Sequence, residues 1–165
     1  MSVVLQRNIV QIIGRGDQPI FFAHGYGCDQ NMWRFITPAF EDRYRIVLFD
    51  HVGHGQSDPT ALNPIQYGSL QGYADDVLAI CRDMDLKDVI FVGHSVSAMV
   101  GILAANREPE RFDRLGRHVH QNLPGSAFVL MKATGHCSNL GAPEEMIAAI
   151  EAFLRGSAPN RMAAE

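Results

Sequence analysis

Residues Phe91–Gly101 read F-V-G-H-S-V-S-A-M-V-G, and the place of Ser95 in this run decides how the chain folds. The apolar segment Val89–Val92 lacks alternation, as a parallel strand covered on both faces should. It runs directly into Gly93-His94-Ser95-Val96-Ser97 and from there into a small, apolar helical stretch. A sharp strand-to-helix turn of this kind needs small residues two places before and after its serine, because the chain packs closely there. Gly93 and Ser97 fill those places, although the strict pattern carries Gly at 97. The turn lifts the Ser95 hydroxyl above the sheet edge and sets it at a helix N-terminus, where free N–H groups favour developing negative charge. Ser95 is therefore a candidate nucleophile. The competing reading is an ordinary helix cap, a position serine also favours.

The rest of the chain supplies a sheet around that turn. Val3–Leu5 and Ile9–Ile13 read as short opening strands, followed by turn chemistry at Gly14-Arg15-Gly16-Asp17. Ile20–Ala23 and Arg45–Phe49 repeat the unbroken apolar pattern, and Ala127–Lys132 is a further strand candidate. Helical patterns fall between them. Asp29 can cap a helix with Met32, Trp33 and Ile36 on one face. Leu70, Tyr73, Val77, Cys81 and Met84 form one stripe of a second helix, with Asp75 and Asp76 turned outward. Ser97–Ala105 is small or apolar all round, which predicts a buried helix. Pro143 opens a last helix with Met146, Ile147, Ile150 and Leu154 inward, and Gly156 ends it. Residues after Ser157 read as a loose tail. This alternation predicts α/β packing around a largely parallel sheet.

Two more runs concern the chemistry of Ser95. His24-Gly25-Tyr26-Gly27 follows the strand candidate Ile20–Ala23. A glycine turn at a strand's C-terminal end can aim a backbone N–H at a substrate oxygen, so the amides of Tyr26 and Val96 together make a candidate oxyanion hole. The competing reading is a plain strand-to-helix loop. Gly135-His136-Cys137 follows Ala127–Lys132, and His136 is the best placed of seven histidines to act as the base. His94 adjoins the nucleophile, but its direction from the turn suits packing. His51/His54 and His118/His120 have metal-type spacing, yet no Cys or carboxylate completes a set, so no metal is expected. Neither a Walker pattern nor G-x-G-x-x-G is present.

Bulk properties narrow the class. The 165 residues suit one domain, with 47% hydrophobic and 19% charged residues. The net charge of −4 and the absence of a Lys/Arg stripe argue against a nucleic-acid partner. No apolar run has transmembrane length and no signal-peptide pattern opens the chain. Three cysteines, Cys28, Cys81 and Cys137, form no disulfide framework, which predicts a cytoplasmic location.

The runs HGYGCDQNMW, FDHVGHGQSD, GHSVSAMVG and GHCSNL, in this order, resemble the α/β-hydrolase superfamily. More narrowly they resemble its RsbQ-like branch, which includes bacterial stress-sigma-factor regulators and plant karrikin and strigolactone receptors. In that branch Ser often stands at the position of Ser97. The resemblance implies Ser95 as nucleophile, His136 as base, and Tyr26 and Val96 as oxyanion donors. It also implies that Asp50–Gly55 is a structural turn shaping the site's rim. It further implies a small-molecule substrate or ligand, a signalling protein partner and no cofactor, and the lack of a transmembrane-length run predicts no membrane association. Members of the branch run to about 270 residues, in keeping with one large α/β domain. Here Arg111–Leu115, which resembles the helix before the sixth strand, is followed at once by Gly116-Arg117-His118. The resemblance therefore implies an internal deletion at about 115/116. It would remove the lid and the acid-bearing loop, and leave residues 1–156 as one shortened core and 157–165 as a tail. The expected sheet has about five or six strands, mostly parallel, with helices on both faces.

Between Ser95 and His136 the carboxylates are Glu108, Glu110 and Asp113, which sit in the Arg-rich stretch NREPERFDR and read as surface charge. The triad acid is thus unassigned. In serine proteases its loss costs about 10⁴-fold in turnover without abolishing catalysis. Pairing of Ala127–Lys132 beside Val89–Val92 would shift His136 by about 10 Å, two strand spacings; without it, an apolar edge predicts a dimer or aggregation. A missing lid would also expose apolar surface around Trp33 and Phe35. Three functions follow: a slow serine hydrolase of small esters or related acyl compounds, a small-molecule receptor, and an inactive shortened core. Perhydrolysis uses the same site as hydrolysis.

Overall fold

The computed structural model describes residues 2–112 and 136–155. Within them the elements run α1 (Val3–Arg7), β1 (Gln11–Ile13), β2 (Pro19–Ala23), β3 (Arg45–Leu48), α2 (Leu70–Asp83), β4 (Ile90–Gly93), α3 (Val96–Arg107), α4 (Ser138–Gly141) and α5 (Pro143–Leu154). The described sheet has four strands in the order β1-β3-β2-β4. β2 pairs in parallel with β3 on one side and β4 on the other, and β1 closes the sheet antiparallel to β3. Ala127–Lys132 lies outside the described residues.

The alternation of side chains along the central strands builds two cores. Phe21, Ala23 and Val47 point to one face, under Ala74, Val77, Leu78 and Cys81 of α2 and Val100, Ala104 and Ala105 of α3. Ile20, Phe22, Ile46, Leu48 and Ile90 point to the other, against Trp33, Ile36 and Phe40, with Met146, Ile147, Ile150 and Leu154 of α5 partly buried there. Helical structure therefore covers both faces, as the apolar strand patterns require. Each fully buried large side chain contributes about 1.5–3 kcal/mol of transfer free energy. The rings of Phe21, Phe22, Phe40, Phe49 and Trp33 thus carry much of the stability of this small sheet.

Several sequence expectations are corrected. Val3–Leu5 is helical, not extended. Its Val4 is buried in the first core, so packing overrides the β-preference of two valines. Ile9 takes φ 47°, in the left-handed region, and Val10 N–H donates to the Leu5 carbonyl, which delays the strand to Gln11. The expected helix after Asp29 is two 3₁₀ turns, Gln30–Trp33 and Thr37–Ala39. Asp29 does accept from Asn31 N–H, but Pro38 has no N–H with which to continue a helix. Trp33 is not part of an exposed rim: it is 1% accessible and packs on Phe22, 5.0 Å between ring centroids. Phe35 is exposed as expected. α3 is not buried all round, because Ala98 is exposed and Met99 is 52% accessible.

Asp76 is a further correction. Asp75 does face outward, paired with Arg107, but Asp76 is only 2% accessible. Arg7 donates to it at 2.5 Å, Tyr67 Oη at 3.0 and 3.2 Å, and Asn8 Nδ2 lies 3.5 Å away. Burial pushes its carboxyl above the usual range, and these three donors pull back against that shift. The cluster ties α1 to α2, so its loss strands buried donors. Asp76→Ala is expected to cost about 2–3 kcal/mol in urea unfolding; a loss under about 1 kcal/mol would show that the cluster is incidental.

Candidate active site

β4 ends at Gly93 and α3 begins at Val96, which leaves two residues to make the turn. Ser95 absorbs the strain, with φ 54° and ψ −122°. A non-glycine residue with positive φ persists only where its surroundings enforce it. The enforcement is visible. A Cβ on Gly93 would stand 2.6 Å from the Ser97 carbonyl group, so only glycine allows the helix to start so close to the strand. His94 N–H donates to the Ala23 carbonyl (3.0 Å), Ser97 N–H to the His94 carbonyl (3.0 Å) and Ala98 N–H to the Ser95 carbonyl (3.0 Å). The Ser95 side chain itself is exposed.

The loop after β2 lies beside this turn because Ala23 and Gly93 are register partners. His94, 8% accessible, fills the gap between them. A Cβ on Gly25 would stand 2.5 Å from His94 Nδ1, so glycine lets this loop lie against the imidazole. Tyr26, at the loop's tip, is 84% accessible. Among the described residues, no hydrogen bond uses the N–H of Tyr26 or of Val96 as donor. Both residues line a small cavity of about 60 Å³ with Gly25, His51, His54 and Tyr73.

His136 packs against His94, and among the described residues no hydrogen bond joins its ring to Ser95. The His136 carbonyl accepts from His94 Nε2 at 2.8 Å, and the two rings lie 4.7 Å apart. α4, which follows, is pinned by Asn139 Nδ2 donating to the Met32 carbonyl (2.9 Å). His94 therefore packs as the sequence suggested, and it also anchors the backbone of the candidate base, a role with no local signature. A mainly apolar cleft of about 380 Å³ opens beside Ser95 and runs down β4 to Ile90, walled opposite by Met146, Ile150 and Leu154.

Of the candidate acids, Glu108 is committed elsewhere. It sits at the far end of α3, roughly 18 Å along the helix from Ser95, where Arg82 and Arg111 donate to it. Burial works against its charge, but these two partners prevail and hold its carboxyl below the usual range. Glu110 is exposed, and Asp113, His118 and His120 lie outside the described residues. Asp50 is buried and structural: its carboxylate accepts from the backbone N–H of Gln30 (2.9 Å) and Gln56 (2.8 Å), which locks the loop after β3 to the 3₁₀ turn.

His51 and His54, the pair with metal-type spacing, belong to a histidine cluster whose rings meet edge-on or tilted. The His24 ring lies 4.8 Å from His51 and 5.7 Å from His54. His51 Nε2 meets Ser97 Oγ at 2.7 Å. Burial lowers the His51 pKa to about 3, helped by the neighbouring His24 and His54; burial likewise lowers that of His24. With so low a pKa His51 is a weak proton acceptor, and its Nε2 is already engaged with Ser97.

A matching family model, described as the alpha/beta hydrolase fold, covers residues 18–115. That span includes Tyr26, Ser95 and Val96, and His136 lies beyond it. A karrikin insensitive 2 receptor of Petunia hybrida is 40% identical over 115 residues, 70% of this chain and 43% of the receptor. A strigolactone esterase of Arabidopsis thaliana is 42% identical over 112 residues, 68% of this chain and 42% of the esterase. Among solved structures, a hydrolase from Oleispira antarctica matches with a TM-score of 0.65 and 43% identity, over 67% of this chain and 40% of that one. The chain therefore belongs to the α/β-hydrolase family, in the branch that holds these karrikin and strigolactone proteins. It spans about two fifths of the length of the curated relatives it matches.

The buried histidines make stability depend on pH with a definite sign. A pKa lowered by folding means that the unfolded chain binds more protons in acid. The stability is therefore present above about pH 6.5 and is lost as pH falls toward 3. His51 alone should cost about 2 kcal/mol between pH 7 and pH 5. Urea unfolding at the two pH values checks this: His51→Gln should flatten the slope, and an unchanged slope would contradict it.

Proposed function

We propose that this chain is a serine hydrolase of small esters or related acyl compounds. Ser95 is the nucleophile, His136 the base, and the amides of Tyr26 and Val96 take the oxyanion. The observation that carries the reading is the backbone of Ser95, held at φ 54° between Gly93 and Ser97 at the start of α3. A helix cap needs no such strain; an exposed nucleophile on a sharp turn does. Two neighbouring amides with no described acceptor, and a histidine segment docked on His94, support the remaining roles.

In acylation Ser95 Oγ attacks the substrate carbonyl while His136 takes its proton. The negative charge that develops on the carbonyl oxygen is met by the two amides, and the leaving alcohol recovers the proton from the imidazolium. Water then repeats the sequence on the acyl-enzyme. Among the described residues no carboxylate is hydrogen-bonded to His136; in this reading the imidazolium is without a triad acid and turnover is slow. No metal or cofactor enters this mechanism. The three cysteines stand unpaired, which fits a reducing cytoplasmic location.

A fluorophosphonate probe should label the chain at one site. Ser95→Ala should abolish labelling, and His136→Ala should slow it by about 10²–10⁴-fold. Labelling that survives Ser95→Ala would overturn the assignment.

A second reading rests on the 40% identity to a karrikin receptor. In it the same site holds a ligand for a signalling partner to detect. A butenolide that raises the melting temperature of Ser95→Ala, with no turnover by the wild type, would favour the receptor. Turnover with no ligand-induced shift would favour the hydrolase.

A further inference from the structure

We infer that Ser97, His51 and His24 form a hydrogen-bonded brace that sets the spacing of the Tyr26 and Val96 amides, which makes Ser97 and His51 positioning residues for the oxyanion site. The inference rests on the hydrolase reading above.

The proton positions follow from counting donors. Ser97 Oγ has one proton and two partners, the His24 carbonyl and His51 Nε2. The carbonyl only accepts, so the hydroxyl donates there and must accept from His51. His51 therefore carries its proton on Nε2. The backbone N–H of His51 donates to His24 Nε2 at 3.0 Å, so His24 carries its proton on Nδ1 and donates it to the Gly25 carbonyl at 2.8 Å. The acceptor role of His24 Nε2 requires a neutral imidazole, whereas His51 enters the chain through its Nε2–H, its Nδ1 having no partner among the described residues.

The brace joins the first turn of α3 to two loops. Ser97 follows Val96 directly, His24 lies two residues before Tyr26, and His51 comes from the loop after β3. His24, His51 and Ser97 are all buried, with accessibilities of 0%, 3% and 0%. In a site with little water their hydrogen bonds are strong and poorly replaced. A shift of either loop would break the Ser97–His24 bond, so the bond holds the two amides at a fixed separation. Oxyanion stabilisation depends on that separation being set before reaction. This also gives a physical reason for serine at a position where the strict pattern has glycine. Glycine would satisfy the turn but would leave the His24 carbonyl and His51 Nε2–H buried without partners.

The test is Ser97→Gly, which keeps the turn's allowed backbone. With a p-nitrophenyl ester, kcat should fall about 10- to 100-fold while KM changes less than about 2-fold. Affinity for a boronic acid that mimics the tetrahedral intermediate should fall by the same factor as kcat. His51→Gln, which keeps an N–H for Ser97, should retain kcat within about 3-fold, whereas His51→Leu should match Ser97→Gly. Long-range ¹H–¹⁵N spectra of the wild type should show His51 protonated on Nε2 and His24 on Nδ1. Unchanged kcat in Ser97→Gly, equal weakening of substrate and boronate, or the opposite tautomers would each overturn the brace. A wild-type chain that neither labels nor turns over would overturn the hydrolase reading instead, and the tautomers would then decide whether the brace exists.

Discussion

The parallel pairing of β2 with β4 is the constraint on which the site depends. Its register runs from Ile20 opposite Ile90 to Ala23 opposite Gly93, so both strands end at the same level. The His94 amide then bonds the Ala23 carbonyl and extends the pairing one step into the turn. Because of that register the loop bearing Tyr26 and the turn bearing Ser95 leave the sheet side by side. A slip of one residue would send every side chain of β4 to the wrong face, and a slip of two would carry Ser95 about 7 Å from Tyr26 along the strand.

Histidines do the work between these loops. His94 separates Gly25 from His136, and His24 and His51 lie under the loop ends with Ser97 between them. Aromatic neighbours pack against them, with His51 4.8 Å from Phe49 and 5.4 Å from Tyr73. A neutral imidazole can both donate and accept within a single ring, as His24 does, which ties two loops to the first turn of α3 without importing charge. Burial lowers the pKa of both His24 and His51, which keeps this pair uncharged at pH 7.

How much of this the sequence disclosed depends on whether the determinant is local. The unbroken apolar runs at Ile20, Arg45 and Val89 marked β2, β3 and β4 within two residues, because burial on both faces leaves its mark along β2 and most of β3, while β4 is half-buried after Ile90. The turn at Ser95 was legible from its small neighbours. Val3–Leu5 misled, because the pull of Val4 into the core comes from a distant surface. Asp76 misled for the same reason: its partners Arg7 and Tyr67 lie on other segments, and a carboxylate on a helix reads as solvated until they are in place. The roles of Ser97 and His51 were equally hidden, since 46 residues separate them and only folding brings Oγ to Nε2. The motif-level signal was there in the departure from glycine at 97, but its meaning required the His24 carbonyl.

The central claim is that one strained turn holds a hydroxyl next to two converging amides. A crystal structure of the chain after reaction with a fluorophosphonate tests it most directly. The account predicts phosphorus bonded to Ser95 Oγ, with the phosphoryl oxygen about 2.7–3.1 Å from the backbone nitrogens of both Tyr26 and Val96. An adduct on another side chain, or a phosphoryl oxygen turned to solvent away from both amides, would contradict it.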